Sequence, residues 1–485
     1  MVKPDKKTRV VIVGGGISGL TCAYKLSQSE LFASGLLHIA VLESKSSWGG
    51  IITTTTVDDC ILDGGPDSFI TNKPGMLDLS RELKIDSRIV AVNQKNRGAL
   101  IVSNGKLVPL PAGFVMLAPS NLVSFFQSSV LSWPGKLRSA LDLVLPAKKD
   151  GADESLASFV RRRFGQEHLD KLAQPMVAGI YVGDAEKLSA NHAAARFVAM
   201  ERTAGSVIRG LNAESKLALS DSSAGASGAR YSLFAGYDQG MSVVVDSLLK
   251  ALDRANIDLC LNSAVTSIDN NNQTELPQFT VTSSGQVWPC EQLVLATSAK
   301  VSSALLTNVN GDLSRQLSKI TSASSAVCNF IFDRKDITHP LNAFGVVVPE
   351  VEMVEHNLSL LAIGFASVKF ARAPENKVII RAFLGGIKRH SLLENDDRFL
   401  LDLALSDLAK LIGLTGQPLY QVVHRWPDSM PQYDVGHQNI ISEIENSSSA
   451  SALHLCGAYL HGVGLPDCVT SAYKCAQSVI DRFTQ

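Results

Sequence analysis

Apolar positions open the chain in a strand–turn–helix–strand order. Val10-Val11-Ile12-Val13 is an unbroken β-rich run, the pattern of a strand covered on both faces. Gly14 to Gly19 interrupts it as a turn, Leu20 to Leu31 has helical spacing, and Ile39-Ala40-Val41-Leu42 reads as a second buried strand. Two turn clusters follow, Trp48-Gly49-Gly50 and Gly64-Gly65-Pro66-Asp67-Ser68.

Residues 112–145 change character, crowding Phe114, Val115, Met116, Leu117, Leu122, Val123, Phe125, Phe126, Val130, Leu131 and Trp133 between prolines. A helix is predicted over Asp153 to Phe164, with Arg161-Arg162-Arg163 on its solvated face, and Ser220 to Gly228 reads as a surface loop. From Gly236 the α/β pattern resumes. A helix is expected over Met241 to Leu252, short strands on either side of Asn270-Asn271-Asn272, and a buried strand at Val294 to Thr297. Residues 324–385 are strand-rich, with runs at Val327 to Phe332, Phe344 to Val348 and Val378 to Leu384. From Leu453 the chain returns to strand, glycine turn and helix, and no internal repeat is detected.

With 485 residues, two or three interleaved domains are expected. Lys+Arg 45 against Asp+Glu 46 leaves a net charge of -1, so no nucleic-acid partner is expected. The eight cysteines form no CxxC pair or metal-type spacing, which predicts reduced thiols, no metal and a cytoplasmic setting. The basic stretch Met1 to Arg9 before an apolar run mimics a signal peptide, but the run ends in glycines and reads as a folded strand.

Gly14-Gly15-Gly16-Ile17-Ser18-Gly19 holds G-x-G-x-x-G between a strand and a helix. Gly14 permits the tight turn, Gly16 lets amides approach a pyrophosphate, and Gly19 permits close helix–strand packing. The helix N-terminus offers free N–H groups and a favourable dipole. Glu43 ends the second strand 24 residues after Gly19, where an acid accepts hydrogen bonds from ribose hydroxyls. NAD and FAD both satisfy this much. Gly49-Gly50, six residues past the acid, tilts the choice towards FAD, as in glutathione-reductase-type and amine-oxidase-type flavoproteins.

The C-terminal run Leu455-Cys456-Gly457-Ala458-Tyr459-Leu460-His461-Gly462-Val463-Gly464-Leu465-Pro466-Asp467-Cys468 resembles the bacterial-type protoporphyrinogen/coproporphyrinogen oxidase family. Further blocks agree in order: Gly65-Pro66-Asp67-Ser68-Phe69, Trp133 to Arg138, Pro175 to Asp184 with Lys187-Leu188-Ser189, Arg372-Ala373-Pro374 and Pro431-Gln432-Tyr433. The resemblance implies an α/β fold with a Rossmann-like FAD-binding domain of the amine-oxidase type. A substrate domain on a largely antiparallel sheet and a small helical region complete it. The FAD domain is expected over 1–90, 236–305 and 421–485, the substrate domain over 91–111, 196–235 and 306–420, and the helical, membrane-facing part over 112–195.

By the same resemblance Gly14, Gly15, Gly16, Ile17, Ser18, Gly19, Glu43 and Ser44 hold the ADP half of FAD. Gly50, Ile51, Gly65, Pro66, Asp67 and Ser68 line the flavin, and Val265 is a backbone contact beside the adenine. Ala458, Val463, Gly464 and Leu465 set amides near the pyrimidine edge, where reduced flavin is negative. The implied reaction takes a porphyrinogen to the porphyrin in heme synthesis by three two-electron steps. In each, hydride leaves a methylene bridge for flavin N5, and oxygen reoxidises the cofactor. Arg97 is implied to pair with a substrate propionate, against its reading as a solvated surface arginine, and Gly179 to lie over the macrocycle. Leu341 and Leu360 read either as apolar plates against the pyrroles or as core leucines, and His461 as structural.

Coproporphyrinogen and protoporphyrinogen stay unresolved, with Lys95 and Lys73 as candidate second cations. The implied partners are the tetrapyrrole, oxygen and neighbouring heme-pathway enzymes, for a monomer or homodimer. Residues 112–145, with Lys136 and Arg138 beside them, read either as a peripheral membrane contact or as walls of the substrate cavity. Another amine oxidase, a carotenoid desaturase or a non-catalytic flavoprotein remain as alternatives on the same scaffold.

Overall fold

The computed structural model describes residues 7–96, 98–220, 233–271, 277–448 and 452–484. Arg97, Asn272 and most of the Ser220–Gly228 segment lie outside the described residues.

A five-stranded parallel sheet gathers strands from the beginning, the middle and the end of the chain. Its order is Asp258–Cys260, Leu37–Leu42, Thr8–Val13, Gln292–Leu295, Leu453–Leu455. Thr8–Val13 is the central strand, which is why its apolar run is continuous: Val10 and Ile12 face one core, Val11 and Val13 the other. The first core is closed by helices Ile17–Ser27, Ser242–Arg254 and Leu465–Thr484. The second is closed by the antiparallel strands Val265–Asn270, Phe279–Ser283 and Gln286–Cys290, with helices Ala299–Leu306 and Gly311–Ser318. The first helix begins at Ile17, earlier than the periodicity predicts, so Ser18 and Gly19 lie in its opening turn.

The second layer is a seven-stranded sheet ordered Tyr420–Pro431, Ser322–Asp333, Lys377–Gly385, Ala362–Phe365, Gly345–Val347, Leu100–Ser103, Lys106–Pro109. Only the Gly345–Val347/Leu100–Ser103 pair is parallel. Tyr420–Pro431 runs across the position where the sequence reading changes domain at 420/421. Strand alternation sends Phe330, Phe332, Ile380 and Ala382 into an apolar core shared with helix Asp397–Ile412. It turns Asn329, Arg381 and His424 to the opposite face, towards the parallel-sheet layer. Leu341 and Leu360 are 2% and 0% exposed within the apolar core, which agrees with the second of their two readings, core leucines.

The third part is helical, including Leu122–Gln127, Trp133–Ala140, Leu156–Phe164, Gln174–Tyr181 and Ala195–Ala204. Here the expected solvated arginine face is corrected. Arg163 is fully buried, its Nε donating to Asp142 Oδ1 at 2.5 Å and its Nη2 to the Asp142 and Gly205 carbonyls. Three consecutive helical residues sweep about 200°, and Arg163 is the one that falls on the inward side. Asp142, itself buried, also accepts from Ser206 Oγ and Ile208 N.

The segment 112–145 is corrected in part. Phe125 is 1% exposed, Lys136 is buried with its Nζ on the Phe126 carbonyl at 2.9 Å, and Arg138 caps the carbonyls of Arg161, Arg162 and Arg163. The cations therefore serve the fold. What stays exposed is the apolar face Trp133, Leu137, Leu141 and Val144, near helical spacing, together with Val123. Among the described residues no helix is long and apolar enough to cross a membrane, and no cluster of ligands suits a metal ion. All eight cysteines are free.

Candidate active site

The glycine turn is built by close approach. A Cβ at Gly19 would lie 1.9 Å from the Gly14 carbonyl oxygen, and one at Gly15 would strike the Trp48 ring and the Glu43 side chain. Gly14 has φ +110°, which favours glycine. Gly16 differs: the nearest atom to its Cβ position is Gly50 Cα at 3.9 Å, so its outer side is open. The helix it begins has no side-chain cap, which leaves first-turn amides for a ligand.

Glu43 is buried at the end of the second strand. It accepts from Gly15 N at 2.7 Å, Lys45 N at 2.8 Å and Ser44 Oγ at 3.1 Å. Its backbone joins the next strand, with Glu43 N donating to the Cys260 carbonyl and Ser263 N to the Glu43 carbonyl. That brings Val265 to the same end of the sheet. The open Gly16, the uncapped helix and the fixed carboxylate together fit the phosphates and ribose of a dinucleotide.

A second line of contacts leads away from this end. Gly49 N donates to the Gly15 carbonyl at 2.9 Å, and a Cβ at Gly50 would come 3.2 Å from Gly16 Cα. A Cβ at Gly65 would lie 1.8 Å from the Ile51 carbonyl oxygen, so Gly50, Ile51 and Gly65 form a continuous wall. Three cations from the seven-stranded layer anchor the segment Gly65-Pro66-Asp67-Ser68. Lys369 Nζ reaches Asp67 Oδ1 at 2.8 Å and Ser68 Oγ at 2.7 Å. Arg381 pairs with Asp67 Oδ2 at 3.2 Å and bonds the Gly65 carbonyl. Arg372 pairs with buried Asp63 and donates to the Asp67 carbonyl at 3.3 Å. Burial alone would raise the Asp67 carboxyl, but Lys369 and Arg381 outweigh it and hold the group well below the usual carboxylate range. Trp426 Nε1 adds a bond to the Gly64 carbonyl at 2.9 Å.

The C-terminal turn closes the other side. Val463 and Gly464 are half-buried just before helix Leu465–Thr484, and Ser18 Oγ donates to the Cys468 carbonyl at 3.4 Å, so two helix starts converge. Ala458 lies in the same turn, its carbonyl accepting from Tyr433 Oη. His461 is exposed and pairs with Glu445 at 2.8 Å, while Lys73 pairs with Asp467 at 2.8 Å. Gly179 is exposed on helix Gln174–Tyr181 and faces Val347, whose Cγ1 lies 3.7 Å from its Cβ position.

Sequence reasoning assigned no role to Lys369, Arg372, Arg381, Trp426 or Tyr433. Signals were present: Arg372 and Tyr433 stand in blocks that carry the resemblance, and Arg381 interrupts the apolar run Val378 to Leu384, where a charge inside a buried strand requires a partner.

A parallel sheet ending in an open glycine turn, an uncapped helix and a buried acid is the architecture of an α/β nucleotide-binding fold. Residues 17–480 match the family described as flavin containing amine oxidoreductase, and the chain belongs to it. Its cofactor is accordingly a flavin. The chain is 30% identical to the coproporphyrinogen III oxidase of Propionibacterium freudenreichii, over 97% of this chain and 90% of that one. It is 28% identical to the coproporphyrinogen III oxidase of Bacillus subtilis, over 96% of each. A crystal structure from Exiguobacterium sp. 255-15, described as a candidate protoporphyrinogen oxidase, superposes with TM-score 0.83 at 28% identity, covering 99% of both chains.

Proposed function

We propose that this protein binds FAD and oxidises a porphyrinogen to the porphyrin in tetrapyrrole synthesis. The observation that carries the reading is similarity over nearly the whole length to the two coproporphyrinogen III oxidases. The glycine turn, Glu43 and the Gly65–Ser68 wall meet at one end of the parallel sheet, as such a reading requires. FAD is preferred over a mononucleotide because Glu43 suits the ribose hydroxyls of an adenosine half. When bound, the flavin would supply hydride acceptance from the substrate and reoxidation by oxygen.

The chain's own part is to bind, orient and exclude. Gly14 to Gly19 receive the pyrophosphate, Glu43 and Ser44 the ribose, and Val265 borders the adenine. Gly50, Ile51 and Gly65 to Ser68 fix the ring plane, with Lys369, Arg372 and Arg381 preventing that wall from moving. Ala458, Val463, Gly464 and Leu465 turn amides to the edge that becomes negative on reduction. Arg97 pairs with a propionate, and Gly179 with Val347 borders the macrocycle. The face Trp133, Leu137, Leu141 and Val144 is the part we set against a lipid surface, since these large apolar side chains stay exposed side by side.

The test is growth of porphyrin fluorescence in air from coproporphyrinogen III and from protoporphyrinogen IX, against an autoxidation blank. Growth above the blank is expected, and the faster substrate identifies the branch of the pathway. A flat trace with both, from yellow protein, refutes the oxygen-dependent reading.

A further inference from the structure

Pro431 to His437 ties together the two sides of the proposed active site. On the flavin side, Tyr433 Oη donates to the Ala458 carbonyl, and His437 Nε2 meets the Leu460 carbonyl at 3.3 Å. On the substrate side, Gln432 Nε2 donates to the Tyr181 carbonyl at 3.0 Å, at the end of the helix that carries Gly179. Two more bonds lock the segment to that side: Ser189 N to the Tyr433 carbonyl at 2.8 Å and Val435 N to the Lys187 carbonyl at 3.0 Å.

Stacking stiffens the segment. The Tyr433 and His437 rings lie 4.1 Å apart at 12°, and His192 meets both edge-on at 5.5 and 5.3 Å. Gln432, Tyr433 and His437 are 2%, 6% and 2% exposed, so solvent replaces none of these bonds. The helix end they hold is itself strained. Its next residue, Val182, is β-branched at φ +54°, a conformation that persists only where neighbours enforce it.

We propose that Pro431–His437 is a positioning strap for the oxidation: Gln432 holds the Gly179 helix, Tyr433 and His437 hold the Ala458–Leu460 turn, and their rigid stack fixes the distance between substrate and flavin. All three act through backbone carbonyls, so their role is positioning. The proposal rests on the FAD reading of the Ala458 turn and assigns roles beyond it.

The experiment compares wild type, Tyr433→Phe and Gln432→Leu as holoenzymes. It reads flavin per chain, flavin midpoint potential, kcat, KM and melting temperature. Tyr433→Phe keeps the ring stack and removes one hydrogen bond, so full flavin content is expected with a shifted potential and kcat lowered about five-fold. Gln432→Leu is expected to raise KM about five-fold with the potential unchanged. Variants that lose only melting temperature, with potential, kcat and KM at wild-type values, overturn the strap. If Gln432→Leu fails to fold, Gln432→Met, which keeps the unbranched shape and loses the donor, takes its place with the same expectation. Wild type that holds flavin but forms no porphyrin refutes the substrate reading alone, and the potential of Tyr433→Phe still decides the strap. Wild type without flavin refutes both.

Discussion

Two glycines in the same turn respond in opposite ways to the same substitution. Gly16→Ala places a methyl where only Gly50 Cα lies within 4 Å, at φ -76° and ψ -179°, which alanine adopts freely. The flavin-free protein should therefore lose no stability, and the smaller entropy of its unfolded chain favours a gain of about 0.4–1 kcal/mol. The methyl stands on the open side that we assign to the pyrophosphate. Displacing one amide bond to a charged phosphate costs about 1.5–3 kcal/mol, so FAD should bind roughly 10- to 100-fold more weakly. Gly19→Ala is the control: its methyl would sit 1.9 Å from the Gly14 carbonyl oxygen, the helix must retreat, and the flavin-free protein should lose about 1–3 kcal/mol. The assay is thermal melting of flavin-stripped protein with and without added FAD. A hundredfold weaker site forfeits about 2.7 kcal/mol of ligand stabilisation. Gly16→Ala that keeps the full FAD-induced shift, with affinity within two-fold of wild type, refutes the pyrophosphate assignment.

Arg97→Ala should raise KM for the porphyrinogen and leave the bound flavin spectrum unchanged; loss of flavin instead shows that the residue is misassigned. Arg163→Met leaves buried Asp142 without its ion partner and should cost about 3–5 kcal/mol in a denaturant titration. A cost under about 1 kcal/mol would mean the pair is dispensable to the helical part. Burial holds His168, His437 and His454 each down to about 4 from an ordinary 6.5. The unfolded chain takes up these protons first, so stability is full above about pH 6.5 and falls as the pH drops towards 4, by up to three protons per molecule. A flat melting temperature between those limits contradicts this. Wild type should sediment with anionic liposomes and a Trp133→Ser/Leu137→Ser variant should not; equal sedimentation removes the lipid assignment.

Legibility in the sequence followed the range of the constraint. Val10 to Val13, the glycine spacing and Glu43 announce themselves because each requirement is met within a few dozen residues. A central parallel strand needs an apolar run on both faces, and a tight turn needs glycine. Lys136 and Arg163 were misjudged because composition marks a residue as apolar or charged but does not say what it meets. Lys136 finds a carbonyl ten residues away, and Arg163 finds Asp142 across a helix packing that no local pattern records. Leu341 and Leu360 look alike as plates or as core, and only the sheet face on which they pack distinguishes them.

The sequence by itself determined the parallel-sheet unit, the glycine turn and the acid that ends the next strand, since these depend on local periodicity and backbone freedom. Only the tertiary structure decided how the flavin wall is held. Asp63 and Arg372 are 309 residues apart, and Asp67 and Lys369 are 302 apart. A buried charge tolerates low dielectric only beside its partner, and that partner is supplied by how the two layers pack, not by neighbours along the chain.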